Sequence, residues 1–187
     1  MKKGKSKEVY ILLTYTGTLL SKLIRLYTKI QYSHASISLD KDLTELYSFG
    51  RKVPRNPFIA GFVKEDIKEG VYSIFSDTIC AVYSLEISDE QYNKLKENIE
   101  AFKFNSNNYR YNLLGIVGIP LNIKIKRKNH FFCSQFVSTV LKNSNIYLFD
   151  KPVELITLED FIKCEKLKVV YEGYLKEYES SRLLASV

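Results

Sequence analysis

Cysteine and histidine are scarce in this chain: three Cys and two His among 187 residues. Cys80, Cys133 and Cys164 are an odd number with no metal-ligand spacing, which argues against both a disulfide framework and a zinc site. No metal and no cofactor is expected. The chain also lacks an apolar run long enough to span a bilayer. Its basic start is followed by a short apolar run, broken at Thr14, Tyr15 and Thr16, without a small-residue cleavage site, which is not the pattern of a secretory signal. The expectation is a soluble, cytoplasmic protein with no transmembrane segment. No nucleic-acid motif accompanies the net charge of +7, so no specific nucleic-acid partner is expected. The surplus reads first as solvated lysine-rich faces, with an anionic surface or acidic substrate as the alternative.

What is present suits one domain. Apolar residues make up 45% and charged residues 26%, the balance of a globular protein with a core that stands without staples. Residues 1–8 read as a disordered basic lead-in, 9–176 as a single domain and 177–187 as a C-terminal tail. Val9 to Leu13 reads as a buried strand that Gly17 breaks. From Thr18 the period becomes helical, with Leu20, Leu23, Ile24, Tyr27 and Ile30 on one face and Thr16 or Thr18 as cap. His34 to Leu39 and Glu45 to Phe49 alternate about an Asp-containing turn, the pattern of a β-hairpin. Residues 50–61, with two prolines and two glycines, read as a loop.

Ile79 to Ile87 alternates as a strand, and Ser88 with Gln91 forms a capping box for a helix to about Phe102. Residues 111–121 are apolar and read as a short buried helix. Lys124 to Lys128 is a basic connector, and Phe131 to Leu141 a mostly buried helix with Cys133 in its first turn. A short helix opens at Thr157, and Leu167 to Leu175 is a last strand. This order is not a regular βα alternation. It predicts the α+β class, an antiparallel sheet with helices packed against it.

Cys133 carries the chemistry in this reading. The first helical turn presents unpaired N–H groups and the positive end of the helix dipole, both of which favour thiolate. The bland alternative is a small buried hydrophobe. A nucleophilic thiol needs a base. His34 stands on a strand, a rigid support, and His130 precedes the cysteine by three residues on a looser element. A third group should orient the imidazole. If the hairpin turns at Lys41-Asp42, Glu45 shares the face of His34; a turn one residue longer puts Ser48 there instead. Arg51, just past the hairpin, could hold a substrate carboxylate. Cys80 and Cys164 read as packing residues.

The strand in ILLTYTGT, the amphipathic helix, YSHASISL and the much later FFCSQFV together resemble the permuted, His-first branch of the NlpC/P60 papain-like superfamily, the group of YiiX/YaeF-like and lecithin:retinol acyltransferase-like proteins. The resemblance covers roughly Val9 to Leu141. It implies a circularly permuted papain-like fold, Cys133 as nucleophile and His34 as base. It implies a polar third residue on the next strand, Glu45 or else Ser48. It also implies a loop beside the site at Tyr15, Thr16 and Gly17. The implied activity is that of a cysteine hydrolase, a thiol protease or amidase or an esterase, on a peptide, amide or lipid-ester substrate. The alternatives are a thiol acyltransferase on lipids and a non-catalytic binding protein. Acyltransferase-like members carry a second histidine on that next strand, and this chain has none there.

Overall fold

The computed structural model of the protein describes residues 6–119 and 122–184. Strand β1 (Ser6–Tyr15) is long, and its stretch Val9–Leu13 is an unbroken apolar run buried on both faces. Such a run marks a central strand, and β1 lies inside the sheet. It pairs antiparallel with β2 (His34–Ser38) on one side and β5 (Ile79–Ser88) on the other. Beyond β2 come β3 (Leu46–Val53) and β4 (Asn56–Glu65), and beyond β5 comes β8 (Lys168–Tyr174). The six-stranded order is β4-β3-β2-β1-β5-β8, with antiparallel pairing throughout. A second, two-stranded sheet joins β6 (Arg110–Tyr111) to β7 (His130–Phe131) in parallel. The class is α+β.

Helices cover both faces. Helix α3 (Asp89–Phe104) is held by the capping box of Ser88 and Gln91. It packs with α5 (Cys133–Asn143) on the face that bears Ile11, Leu13, Ile37, Tyr47 and Phe49. Phe136 of α5 is fully buried there, with ring centroids 5.1 Å from Phe102, 5.3 Å from Phe49 and 5.6 Å from Phe62. The opposite face, with Leu12, Leu46 and Val82, is closed by Tyr72 of α2 (Gly70–Ile74) and by Leu175 and Tyr178 at the start of α7 (Tyr178–Leu184). The other α-helices among the described residues are α1 (Leu19–Thr28), α4 (Leu113–Gly118) and α6 (Leu158–Ile162).

Several expectations change. Strand β1 starts at Ser6, so residues 6–8 of the expected lead-in are strand, while residues 1–5 lie outside the described residues. The expected tail 177–187 begins with a helix whose Tyr178 is buried against the sheet and donates to the Lys41 carbonyl at 2.8 Å; residues 185–187 are outside the described residues. Residues 50–61 are not a loop but the hairpin of β3 and β4, with Val53 paired to Asn56. Proline turns the chain at Pro54, and Pro57 falls on an edge strand, where a missing N–H breaks no ladder.

Thr18 does cap α1, accepting from the Ser21 N–H at 3.3 Å. Of the apolar face expected there, Ile24 and Ile30 are half-buried, Ile30 against the main core, and Leu23 is more than half exposed, while the side chains of Leu20 and Tyr27 lie outside the described residues. The expected buried helix in 111–121 is α4, whose Leu113 and Leu114 are exposed; residues 120 and 121 lie outside the described residues.

Phe136→Ala removes a ring at the centre of this core and should cost about 3–5 kcal/mol. Urea denaturation followed by circular dichroism measures it. Phe136→Leu should lose less and serves as the folded comparison.

Candidate active site

The chain enters α5 along β7, which β6 holds in place by the Tyr111–Phe131 pairing. Phe132, the residue before the helix, has no side-chain acceptor with which to cap it; its own N–H donates to Gln135 Oε1 at 3.4 Å. The first-turn N–H groups therefore stay available to the group at Cys133. The backbone N–H groups of Ser134, in its own helix, and of Ala35, in β2, stand close enough to the sulfur to favour its thiolate. The His34 side chain stands beside it as well. The thiol and imidazole, 99 residues apart in sequence (133 minus 34), meet where the start of α5 packs on the start of β2.

His34 Nε2 sits 2.8 Å from Glu65 Oε1, which leaves Nδ1 for the sulfur. Glu65 ends β4, two strands from His34. Its carboxylate accepts Ser48 Oγ at 2.7 Å on the same oxygen as the imidazole. The other oxygen accepts Ser36 Oγ at 2.6 Å and the Tyr72 hydroxyl at 3.1 Å. Ser36 and Ser48 are fully buried, and the Glu65 side chain is 13% exposed. Gly50 is required beside them. A Cβ there would lie 3.2 Å from Ser48 Oγ and 3.3 Å from both Glu65 Oε1 and His34 Cε1. Any side chain would press on the ring and its carboxylate together.

Charge at this site follows from those contacts. Burial, the largest influence on His34, pushes its pKa down, but the Glu65 carboxylate and the Cys133 sulfur outweigh it and raise it to about 10. For Cys133 burial pushes up, yet the hydrogen bond to His34, its positive charge and the two N–H donors leave the thiol below its ordinary value. Glu65 is held below the usual carboxylate range by His34 and the serine hydroxyls in spite of its burial. The arrangement favours thiolate beside imidazolium.

Of the residues singled out in the sequence, the fold brings Cys133 and His34 together. His130 is elsewhere, its Nδ1–H donating to the Lys128 carbonyl at 2.7 Å. Glu45 does not supply the carboxylate beside His34; it is paired with Lys64 Nζ at 2.6 Å and with the Tyr47 hydroxyl. The register explains why. Ile37 pairs with Tyr47 and Ser38 with Leu46, the longer of the two turns considered, which puts Ser48 rather than Glu45 on the face of His34. Ser48 touches the imidazole only through Glu65. Arg51 and Thr16 line the cleft that His34 opens onto. Tyr15 instead lies under the Arg25 guanidinium, 4.9 Å away, and Gly17 takes a left-handed φ of 68° in open space.

Two functional candidates escaped the sequence. Glu65 was hidden because the segment leading to it read as a loop, and without β4 it had no register. Tyr111 was hidden in an apolar stretch. The β6–β7 pairing sets its hydroxyl against both the sulfur and the backbone N–H of Cys133, and burial together with the nearby thiolate raises its pKa well above the ordinary value. Among the described residues no cluster of His, Cys, Asp and Glu could hold a metal ion, and no helix is long and apolar enough to cross a membrane. No protein-family model matches this chain, and no curated protein matches it.

Glu65→Gln keeps the shape and removes the charge. His34 should then lose its main support, fewer imidazolium ions should face the sulfur, and the Cys133 thiol pKa should rise. The pH dependence of Cys133 alkylation measures this. Stability follows the same linkage. The His34 contribution is complete below its ordinary value of 6.5 and fades as pH rises through about 10. The lowered Cys133 thiol acts in the opposite sense, so the comparison is made in a Cys133→Ser background: there denaturation midpoints should fall more steeply above neutral pH with Glu65 in place than with Glu65→Gln.

Proposed function

We propose that this protein is a cysteine hydrolase that opens an ester or amide bond through a Cys133 acyl-enzyme. One observation carries the reading: a thiol at an uncapped helix N-terminus stands beside an imidazole whose far nitrogen is held by a buried carboxylate. That is the relation of nucleophile, base and orienting group. The Cys133 thiolate attacks the carbonyl carbon. The oxyanion that forms is met by the Tyr111 hydroxyl, close to the sulfur, and by the Cys133 N–H once it exchanges the Tyr111 oxygen for the oxyanion. His34, as imidazolium, gives its proton to the leaving oxygen or nitrogen. Water then loses a proton to His34 and attacks the thioester, and the thiolate returns. Glu65 orients the ring and stabilises its charged form throughout.

The fold belongs to the same proposal. A His-bearing strand that precedes a Cys-bearing helix in the chain, with that helix packed on an antiparallel sheet, is what a permuted papain-like fold of the NlpC/P60 type requires. The third residue of the triad is then Glu65. A reducing compartment such as the cytoplasm suits the reading, since the thiol must stay free and Cys80, Cys133 and Cys164 are all unpaired.

Iodoacetamide should label Cys133 at neutral pH at least about tenfold faster than Cys80. Cys80 is buried beside Glu172, and its pKa is pushed up to about 12. His34→Ala should slow the Cys133 reaction, and Tyr111→Phe should leave it fast while lowering ester turnover by about 10²-fold. Incubation with an activated ester should add the acyl mass to Cys133 and nowhere else. Slow, equal labelling of all three cysteines would remove the basis for the assignment.

A further inference from the structure

Two cavities flank the Cys133–His34 pair, and they differ in chemistry. Three residues, Ile24, Ser33 and Tyr111, line both. On the cysteine side a chamber of about 200 Å³ runs from Cys133 between Ile30, Ile116, Ile119, Phe132 and Leu158. Among the described residues no Lys, Arg or His lines it, and the one carboxylate, Glu159, is drawn off by Lys163 at 2.5 Å. On the histidine side a cleft of about 310 Å³ is lined by the basic residues His34, Arg51, Lys52 and Lys64 and by the carboxylates Glu65, Asp66 and Glu69; Lys64 is taken up by Glu45.

Arg51 is the unusual group there. It is half-buried, and the acceptors that hold it are neutral: Thr18 Oγ1 at 2.7 Å and the Pro54 carbonyl at 3.2 Å. Among the described residues no carboxylate pairs with it. The Phe75 ring centroid lies 6.0 Å from its guanidinium carbon, the neutral phenols of Tyr111 and Tyr72 stand nearby, and burial lowers its pKa. Of the acids in the cleft, Glu65 is spent on His34, Ser36, Ser48 and Tyr72, Asp66 accepts from the Lys68 N–H, and neither Asp66 nor Glu69 forms an ion pair with Arg51. A partly desolvated guanidinium without a counter-ion is costly unless a ligand supplies one.

The proposed chemistry fixes which end of a substrate goes where. The acyl group stays bonded to Cys133, so it occupies the chamber that Cys133 lines. The leaving group takes its proton from His34, so it departs through the cleft that His34 lines. We infer that the substrate joins a short apolar acyl group, by an ester or amide bond, to a leaving group that carries an anion. This rests on the hydrolase reading above. The step balances as acyl–X–R plus water giving the free acid and H–X–R. The C–S bond forms as C–X breaks, X takes the His34 proton, and water resolves the thioester.

The test compares two chromogenic esters, 4-nitrophenyl hexanoate and 3-carboxy-4-nitrophenyl hexanoate, which share the acyl group and differ by a carboxylate on the leaving group. The measured quantity is the ratio of their kcat/KM values within one protein, which does not depend on how much of that protein is folded. Arg51→Gln should lower the carboxylated-to-neutral ratio about tenfold, the loss of one charge-assisted contact, and Arg51→Lys should keep part of it. A phosphate-bearing nitrophenyl hexanoate run beside them separates a general anion site from one shaped for carboxylate. On the other side, Ile116→Trp fills the chamber and should shift preference from hexanoyl to acetyl esters. Esters cleaved with a ratio that Arg51→Gln leaves unchanged, or an acyl preference that Ile116→Trp leaves unchanged, would overturn the substrate assignment while the hydrolase stands. No turnover of any ester, together with no acyl mass on Cys133, would overturn both.

Discussion

A carboxylate taken out of water is tolerated when its lone pairs are all used, and Glu65 uses them on four donors drawn from three strands or helices other than its own: His34 and Ser36 on β2, Ser48 on β3 and Tyr72 on α2. Removing any one leaves buried charge short of a partner, so the four positions are coupled. The cluster pins the end of β4 across β3 onto β2 and closes α2 over it. It also decides the charge of the imidazole. Small residues at Ser36, Ser48 and Gly50 leave the space in which carboxylate and ring can meet.

The second constraint is the path of the chain into α5. A two-residue parallel pairing, Arg110 with His130 and Tyr111 with Phe131, fixes both the helix start and the tyrosine hydroxyl beside it. The buried aromatic group of Phe49, Phe62, Phe102 and Phe136 then locks α5 to the sheet one turn further on. The sulfur is therefore placed by the core, and its ionisation by what surrounds it: three donors, two of them backbone, against the cost of burial. On the proposed chemistry, the rigid parts of the fold carry the reacting groups, while the half-exposed α1 and α4 supply the walls of the two cavities.

The apolar residues of α1 and α4 show why hydrophobic pattern alone misleads. Period and composition in 111–121 are those of a core segment, yet Leu113 and Leu114 are exposed while Ile116 and Ile119 face a cavity. Apolar side chains around a cavity carry the same sequence signature as those packed in a core. Similarly, prolines and glycines in 50–61 signal a turn correctly at Pro54 but not its extent, because an edge strand accommodates proline where a central one does not.

The central strand, the hairpin at His34, the capping box at Ser88 and a helix with Cys133 in its first turn were readable from the chain, because each depends on spacing within a dozen residues, although that helix starts at Cys133 rather than at Phe131. The α+β class followed from their order. What the sequence left open was the partner of His34. The choice between Glu45 and Ser48 turned on a single residue of hairpin length, and the carboxylate that does meet the ring lies on a strand further out. Contacts between strands depend on register and twist summed over the whole sheet, and a buried charge finds its donors only once those strands are assembled. Local pattern determined the elements; long-range packing decided which side chains became neighbours.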